Sequence, residues 1–416
     1  MGSIIVKKSD NLTGEVVISG AKNSALPIIA ASILTKGKNR LLSVPMLGDI
    51  TVMLEILKNM GAEIECENGV VMIDASVINN IAPQYELSNK LRGSFLVAGP
   101  LLTRFGKAQI SMPGGCAIGT RPIDLHLKGF ASMGAQISKE HGYIDMRAKK
   151  LHGGKIYLDY PSVGATENIM MAAVLADGET VIENASLEPE IVDLASYLVS
   201  AGANISGAGT DTVKISGTDS LNAVSHRIIP DRIEAGTFMV ATAMTHGCVK
   251  IKNVICGHLK PVTAKLREIG VSVTEGEDYV LVDARGALHS ADIKTLPFPG
   301  FPTDMQAQFA SLMSCTEGTS VIIETVFENR FMHMAELKRM GANIKIEGRT
   351  AVVEGMPHLT GAKVKASDLR AGASLVLAGL IADGDTEIGE IEHIDRGYED
   401  IVGKLKSIGA NIERNE

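Results

Sequence analysis

The stretches "LKNMGAEIE" (57–65) and "LKRMGANIK" (337–345) read as the same local event. An amphipathic helix ends at a glycine and the chain turns at once into a strand. The signal recurs as "FASMGAQIS" (130–138), "LVSAGANIS" (198–206), "LREIGVSVT" (266–274) and "LKSIGANIE" (405–413). Its glycines, Gly61, Gly134, Gly202, Gly270, Gly341 and Gly409, follow one another at intervals of 68 to 73 residues. Glycine just past a helix supplies the left-handed backbone that closes the last turn. A period near 70 is longer than common solenoid repeats. It suits a small α/β unit, so the chain reads as six copies of one.

About 25 residues before that signal lies a second one. Helices rich in small apolar residues give way to a strand near Gly178, Gly247 and Gly384, as in "NIMMAAVLADGETVIENA" (168–185). Each unit is therefore expected to run strand, buried helix, strand, amphipathic helix, strand, strand. The sixth unit stops at "GANIERNE" without its last strand. The N-terminal "IIVKKSDNLTG" (4–14) resembles "AVVEGMPHLTG" (351–361), so residues 1–20 are expected to complete it. Six units then divide into two domains of three, 21–229 and 230–416 with 1–20. The chain crosses twice, near Gly20–Ala21 and Ile229–Pro230. Two crossings make a hinge, and hinged domains commonly bind ligand between them.

Composition narrows the function. The 416 residues are 45% apolar and 21% charged, with a net charge of −8 and no basic stripe, which argues against a nucleic-acid partner. Five cysteines, Cys66, Cys116, Cys248, Cys256 and Cys315, with no CxxC, point away from disulfides or zinc and toward a reducing cytoplasm. No apolar run is long enough to span a membrane and no signal peptide opens the chain, so no membrane partner is expected.

Four stretches break the repeat with reactive or charged residues. "GAKNSALP" (20–27) sets Lys22 and Asn23 at the start of a buried helix. A helix N-terminus favours anions, and a lysine adds a full charge. The plain alternative is a solvated lysine and an Asn N-cap. "PGGCAIGTRPIDLH" (113–126) puts Cys116 on a glycine-rich loop near Arg121, a cation that favours the thiolate. Such a thiol serves as nucleophile or general acid. "PFPGFPTDMQAQF" (297–309) brings Asp304 into a helix start. There the residues alone favour a cap, with a base for a ligand hydroxyl as the alternative. Of Arg92, Arg330, Arg370 and Arg396, several open apolar helices or interrupt turns at like positions in the repeat, and arginine suits forked contacts with carboxylate or phosphate.

These motifs, with "PSVGATENIM", "EPEIVDLA", "FENRFMH", "SDLRA" and "HIDRGYE", resemble the enolpyruvyl transferases that act on UDP-N-acetylglucosamine, and the likeness runs end to end. The resemblance implies a two-domain inside-out α/β barrel of six repeated units. It implies transfer of the enolpyruvyl group of phosphoenolpyruvate to the 3′-hydroxyl of UDP-N-acetylglucosamine with release of phosphate, by addition and elimination. That reaction would be the first committed step of peptidoglycan synthesis; no cofactor or metal is expected, and the chain is expected to be a cytoplasmic monomer. Lys22, Arg121 and Arg396, with Arg92 nearby, match the cations around the donor. Cys116 matches the general acid, which can also form a covalent adduct and is alkylated by the epoxide fosfomycin in the family. Asp304 matches the base for the sugar hydroxyl, and Asn23 the residue that holds it. Pro122, Ser162, Val163, Gly164 and Val326 match substrate-binding positions for the nucleotide sugar. Asp368, Leu369 and Arg370 match a stretch of the closed cleft, and Arg330 a residue that holds the closed state.

The set is divided between the domains, so closure is expected to assemble it and exclude water. Tyr160 and Gly48 depart from the pattern, because some relatives carry lysine at both positions. Two other readings compete. A shikimate-pathway enolpyruvyl transferase would lack the Cys116 loop and "PSVGATENIM". A non-catalytic paralogue that only binds UDP-sugar would have lost Lys22, Cys116, Asp304 or Arg396, and all four are present.

Overall fold

A computed structural model describes residues 2–112 and 123–415. They cluster into two units, one of residues 20–112 with 123–229 and one of residues 2–19 with 230–415, and the chain passes between them at Ser19–Gly20 and Ile229–Pro230.

In the 20–229 unit three helices form the interior: Lys22–Ala31, Ala98–Phe105 and Val163–Ala173. Their apolar residues are almost all buried, as sequences without a polar face require. Close approach is built in at Gly99, where an added Cβ would sit 2.3 Å from the Asn168 carbonyl oxygen. Asn168 ties the same crossing by accepting from Gly99 N at 2.7 Å and donating to the Phe95 carbonyl at 2.8 Å. The sheets lie outside the helices. In the third repeat Lys155–Tyr157 runs parallel to Glu179–Glu183, which pairs antiparallel with Thr212–Ser216, and Asn204–Ser206 closes the edge. Alternation buries Thr180, Ile182, Val213 and Ile215 against the helices.

The 230–415 unit repeats this plan around the helices Arg232–Met244, Gln306–Met313 and Leu369–Gly379. Each buried apolar side chain there, such as Phe309 or Leu375, contributes about 1.5–3 kcal/mol. All six repeat glycines after the amphipathic helices have positive φ, from +93° at Gly341 to +112° at Gly202, as the helix-ending signal requires.

Some expectations need correction. Only part of residues 1–20 completes the sixth repeat. Ser3–Val6 does lie between Thr386–Gly389 and Ile412–Asn415, antiparallel to both. Thr13–Val17, however, opens the fourth repeat, parallel to Cys248–Lys252. In the same way Ser225–Arg227 opens the first repeat beside Lys38–Leu42. Each unit thus takes its first opening strand from a distant part of the chain. Among the described residues the second repeat has no opening strand, because the chain forms the helix Tyr85–Lys90 and the 3-10 turn Arg92–Val97 there. Near Gly247 the left-handed residue is His246, and glycine is needed because a Cβ would lie 2.3 Å from the Leu12 carbonyl oxygen.

Candidate active site

The N-termini of the interior helices carry most of the singled-out residues. In the 20–229 unit Lys22 is the first residue of its helix and is buried. Its Nζ donates to Asp49 Oδ2 at 3.0 Å. Asp49 lies in the first turn of the helix Gly48–Asn59, where a carboxylate meets the positive end of the dipole. The N-cap of the Lys22 helix is Ala21, with no side-chain bond, so the Asn-cap reading of Asn23 is replaced: Asn23 is a half-buried residue inside the first turn.

Arg92 opens the 3-10 turn that leads into the second interior helix. His126 lies within reach of its charge. Burial, with Arg92 adding to it, pushes the His126 imidazole down to about 3, so the ring is neutral at physiological pH. The His126 ring also faces the third helix, where a Cβ on Gly164 would sit 3.3 Å from its Cε1. Ser162 caps that helix by accepting from Ala165 N at 3.3 Å, and Val163 follows, both half-exposed. Arg92, neutral His126 and the Ser162–Gly164 helix start therefore share one region. A cation beside a helix N-terminus suits an anionic ligand. One turn further in, the buried Glu167 carboxyl is held well above the usual range by burial, with Glu190 and Glu188 adding like charge.

In the 230–415 unit Asp304 sits in the 3-10 turn Thr303–Met305, whose N-cap is Pro302. It caps no helix, which overturns the cap reading. Its Oδ1 accepts from Arg330 Nη2 at 2.6 Å and its Oδ2 from Arg370 Nη2 at 3.1 Å. Both guanidiniums are almost wholly buried, while the Asp304 side chain keeps 26% of its exposure. Two forked cations thus hold the Asp304 carboxylate in place at a partly exposed position.

The cap in this region is Asp368. Its Oδ1 accepts from the backbone N–H groups of Arg370 at 2.8 Å and Ala371 at 3.0 Å, and so starts the helix that delivers Arg370. Arg370 stacks over Tyr398, centroid 5.3 Å away, and Tyr398 is held by Thr237 and Gln308. Leu369 packs so tightly on Gly397 that a Cβ there would lie 2.3 Å from its Cδ1. This fixes the turn carrying half-buried Arg396. Val326 lies on the loop between the strand Thr319–Ile323 and Arg330. Its N–H donates to Glu324 Oε1 at 2.8 Å.

Asp304, Arg330, Asp368, Leu369, Arg370, Arg396 and Val326 are thus grouped within one unit, and Lys22, Asn23, Arg92, Ser162, Val163 and Gly164 belong to the other. Cys116, Arg121 and Pro122 lie outside the described residues. The sequence reading missed Asp49, His126, Glu324 and Tyr398. Asp49 and Tyr398 stood in plain view in "LGDI" and "RGYED", but nothing local shows that a distant lysine or arginine needs them. Among the described residues no cluster of His, Cys, Asp or Glu could hold a metal ion, and no helix is long and apolar enough to cross a membrane.

Residues 6–405 match the family model described as EPSP synthase (3-phosphoshikimate 1-carboxyvinyltransferase). UDP-N-acetylglucosamine 1-carboxyvinyltransferase 1 of Caldanaerobacter subterraneus subsp. tengcongensis is 62% identical over 410 residues, 99% of each chain. UDP-N-acetylglucosamine 1-carboxyvinyltransferase 2 of Carboxydothermus hydrogenoformans is 58% identical over 416 residues, 100% of this chain and 99% of that one. Among solved structures, the enolpyruvyl transferase NikO from Streptomyces tendae superposes with a TM-score of 0.91 at 27% identity, over 100% of this chain and 99% of that one. An EPSP synthase from Acinetobacter baumannii reaches 0.81 at 20% identity over the whole of both chains, a likeness of fold alone. The chain belongs to the EPSP synthase family of enolpyruvyl transferases, and within it to the UDP-N-acetylglucosamine 1-carboxyvinyltransferases.

Proposed function

We propose that the protein transfers the enolpyruvyl group of phosphoenolpyruvate to the 3′-hydroxyl of UDP-N-acetylglucosamine and releases phosphate, at the entry to peptidoglycan synthesis. The observation that carries the acceptor is the full-length likeness, at 62% identity, to a UDP-N-acetylglucosamine 1-carboxyvinyltransferase.

The residues suit each step. In the addition, Asp304 takes the proton of the sugar hydroxyl as its oxygen bonds to C2 of phosphoenolpyruvate. Cys116 gives a proton to C3, and a tetrahedral phosphate-bearing intermediate results. In the elimination, C3 loses a proton, the C–O bond to phosphate breaks, and the double bond reforms. The steps are redox-neutral and need no electron carrier. Lys22, Arg121 and Arg396 hold the charge of the donor, with Arg92 nearby. The Ser162–Gly164 helix start and Val326 bind the nucleotide sugar, and Asn23 holds the hydroxyl.

The test is phosphate release from phosphoenolpyruvate with UDP-N-acetylglucosamine or shikimate 3-phosphate as acceptor. Release with the nucleotide sugar alone supports the proposal. Release with shikimate 3-phosphate would reassign the acceptor. Binding of the nucleotide sugar without turnover would make the protein a non-catalytic binder.

A further inference from the structure

Glu324 is a buried carboxylate near the candidate base that accepts four hydrogen bonds. It is 1% exposed and follows the strand Thr319–Ile323. Its Oε1 accepts from Thr295 Oγ1 at 2.9 Å, Val326 N at 2.8 Å and Phe327 N at 3.2 Å. Its Oε2 accepts from Thr303 Oγ1 at 2.8 Å. The two oxygens therefore face two different pieces of the site.

On the Oε1 side Thr295 continues the contact. Its Oγ1 accepts from Thr325 N at 2.9 Å, and its carbonyl accepts from Thr325 Oγ1 at 2.6 Å. The backbone of 325–327 is pinned as a unit. On the Oε2 side Thr303 Oγ1 accepts from Arg330 Nη1 at 2.8 Å, and the other arm of that guanidinium binds Asp304 at 2.6 Å. The Arg330 guanidinium also lies 5.1 Å from the centroid of the Phe327 ring, which joins the two sides a second time.

We infer that Glu324 is a positioning residue that sets the acceptor-binding loop at Val326 in register with the base Asp304. One oxygen orders the loop, and the other orders the Thr303–Arg330–Asp304 chain. The inference rests on the reading given above. A carboxylate suits this task because four hydrogen bonds converge on it from donors only. Glutamine would keep an oxygen for the loop N–H groups but would turn an N–H toward the Thr303 hydroxyl.

The test uses the full-length protein and the variants Glu324→Gln, Thr303→Val and Thr295→Val. Each is measured for phosphate release and titrated calorimetrically with UDP-N-acetylglucosamine. Thr303→Val breaks only the base arm, so kcat falls about 10- to 100-fold while Kd stays within about twofold. Thr295→Val breaks only the loop arm, so Kd weakens about 10-fold and saturated turnover stays near wild type. Glu324→Gln follows Thr303→Val, and Thr303→Ser, which restores the hydroxyl, recovers turnover. Parallel losses on both readouts in all variants, or full turnover in Thr303→Val, overturn the inference. Wild-type protein that releases no phosphate with the nucleotide sugar overturns the functional reading instead, and this inference with it.

Discussion

Lys22 and Asp49 form a buried ion pair, 3.0 Å from Nζ to Oδ2, with 9% and 7% of their side chains exposed. Lysine in the first turn of a helix opposes the dipole, and burial of its charge adds a desolvation cost. Asp49 offsets both from the start of a second helix. A chain that keeps a cation in such a place has a use for it, and an anionic donor supplies one. Asp49→Asn keeps an acceptor but removes the charge. The expected outcome is a KM for phosphoenolpyruvate raised about 10-fold, with nucleotide-sugar Kd little changed. Steady-state kinetics with each substrate varied in turn checks it. An unchanged donor KM would remove Lys22 from the donor site.

Asp304 is gripped by two guanidiniums and remains partly exposed. Asp304→Asn preserves shape and hydrogen-bonding capacity but cannot take a proton. It is expected to lower kcat by at least about 100-fold while UDP-N-acetylglucosamine still binds. Single-turnover phosphate release beside calorimetric titration separates the two effects. Near-normal turnover would make Asp304 only an anchor for Arg330 and Arg370.

Cys116→Ser is expected to lose most turnover and still bind the nucleotide sugar. Fosfomycin is expected to inactivate the wild-type protein and add its mass to the peptide containing Cys116. Mass spectrometry after prolonged exposure decides the matter: an unmodified peptide with full activity would reduce Cys116 to a bystander.

His333 is buried, and burial is the chief cause that pushes its imidazole down to about 4, with the Arg330 charge assisting and Asp368 and a backbone hydrogen bond at Arg330 opposing. The native state then binds fewer protons than the unfolded chain, whose histidine titrates near 6.5. The stability that follows is fully present above about pH 6.5 and is lost as pH falls toward 4. Its size is on the order of 3 kcal/mol. His333→Gln is expected to flatten the fall of Tm between pH 7 and 4.5 relative to wild type. Parallel Tm curves would show that His333 does not couple protonation to folding.

Much of the fold was legible because the repeat signal is local. A helix that ends at Gly341 or Gly409 needs a left-handed residue wherever the rest of the chain lies, and apolar helices such as Val163–Ala173 announce their own burial. Strand exchange was less legible. Thr13–Val17 and Ser225–Arg227 are short and half polar, and nothing within five residues states which distant strand they will join. The cap reading of Asp304 failed for the same reason. Locally an Asp after Pro-Thr favours a cap, whereas in the fold Arg330 and Arg370, brought in from 26 and 66 residues away, hold its oxygens.

By itself the sequence determined the six-unit α/β plan and the apolar interior helices, because each rests on spacing and side-chain chemistry that neighbours in the chain can express. The tertiary structure alone decided which charges meet: Lys22 with Asp49, Asp304 with Arg330 and Arg370, and Glu324 with both the Val326 loop and Thr303. Partner choice among buried charges depends on which helix ends packing brings within about 3 Å, and that distance is a property of the folded chain.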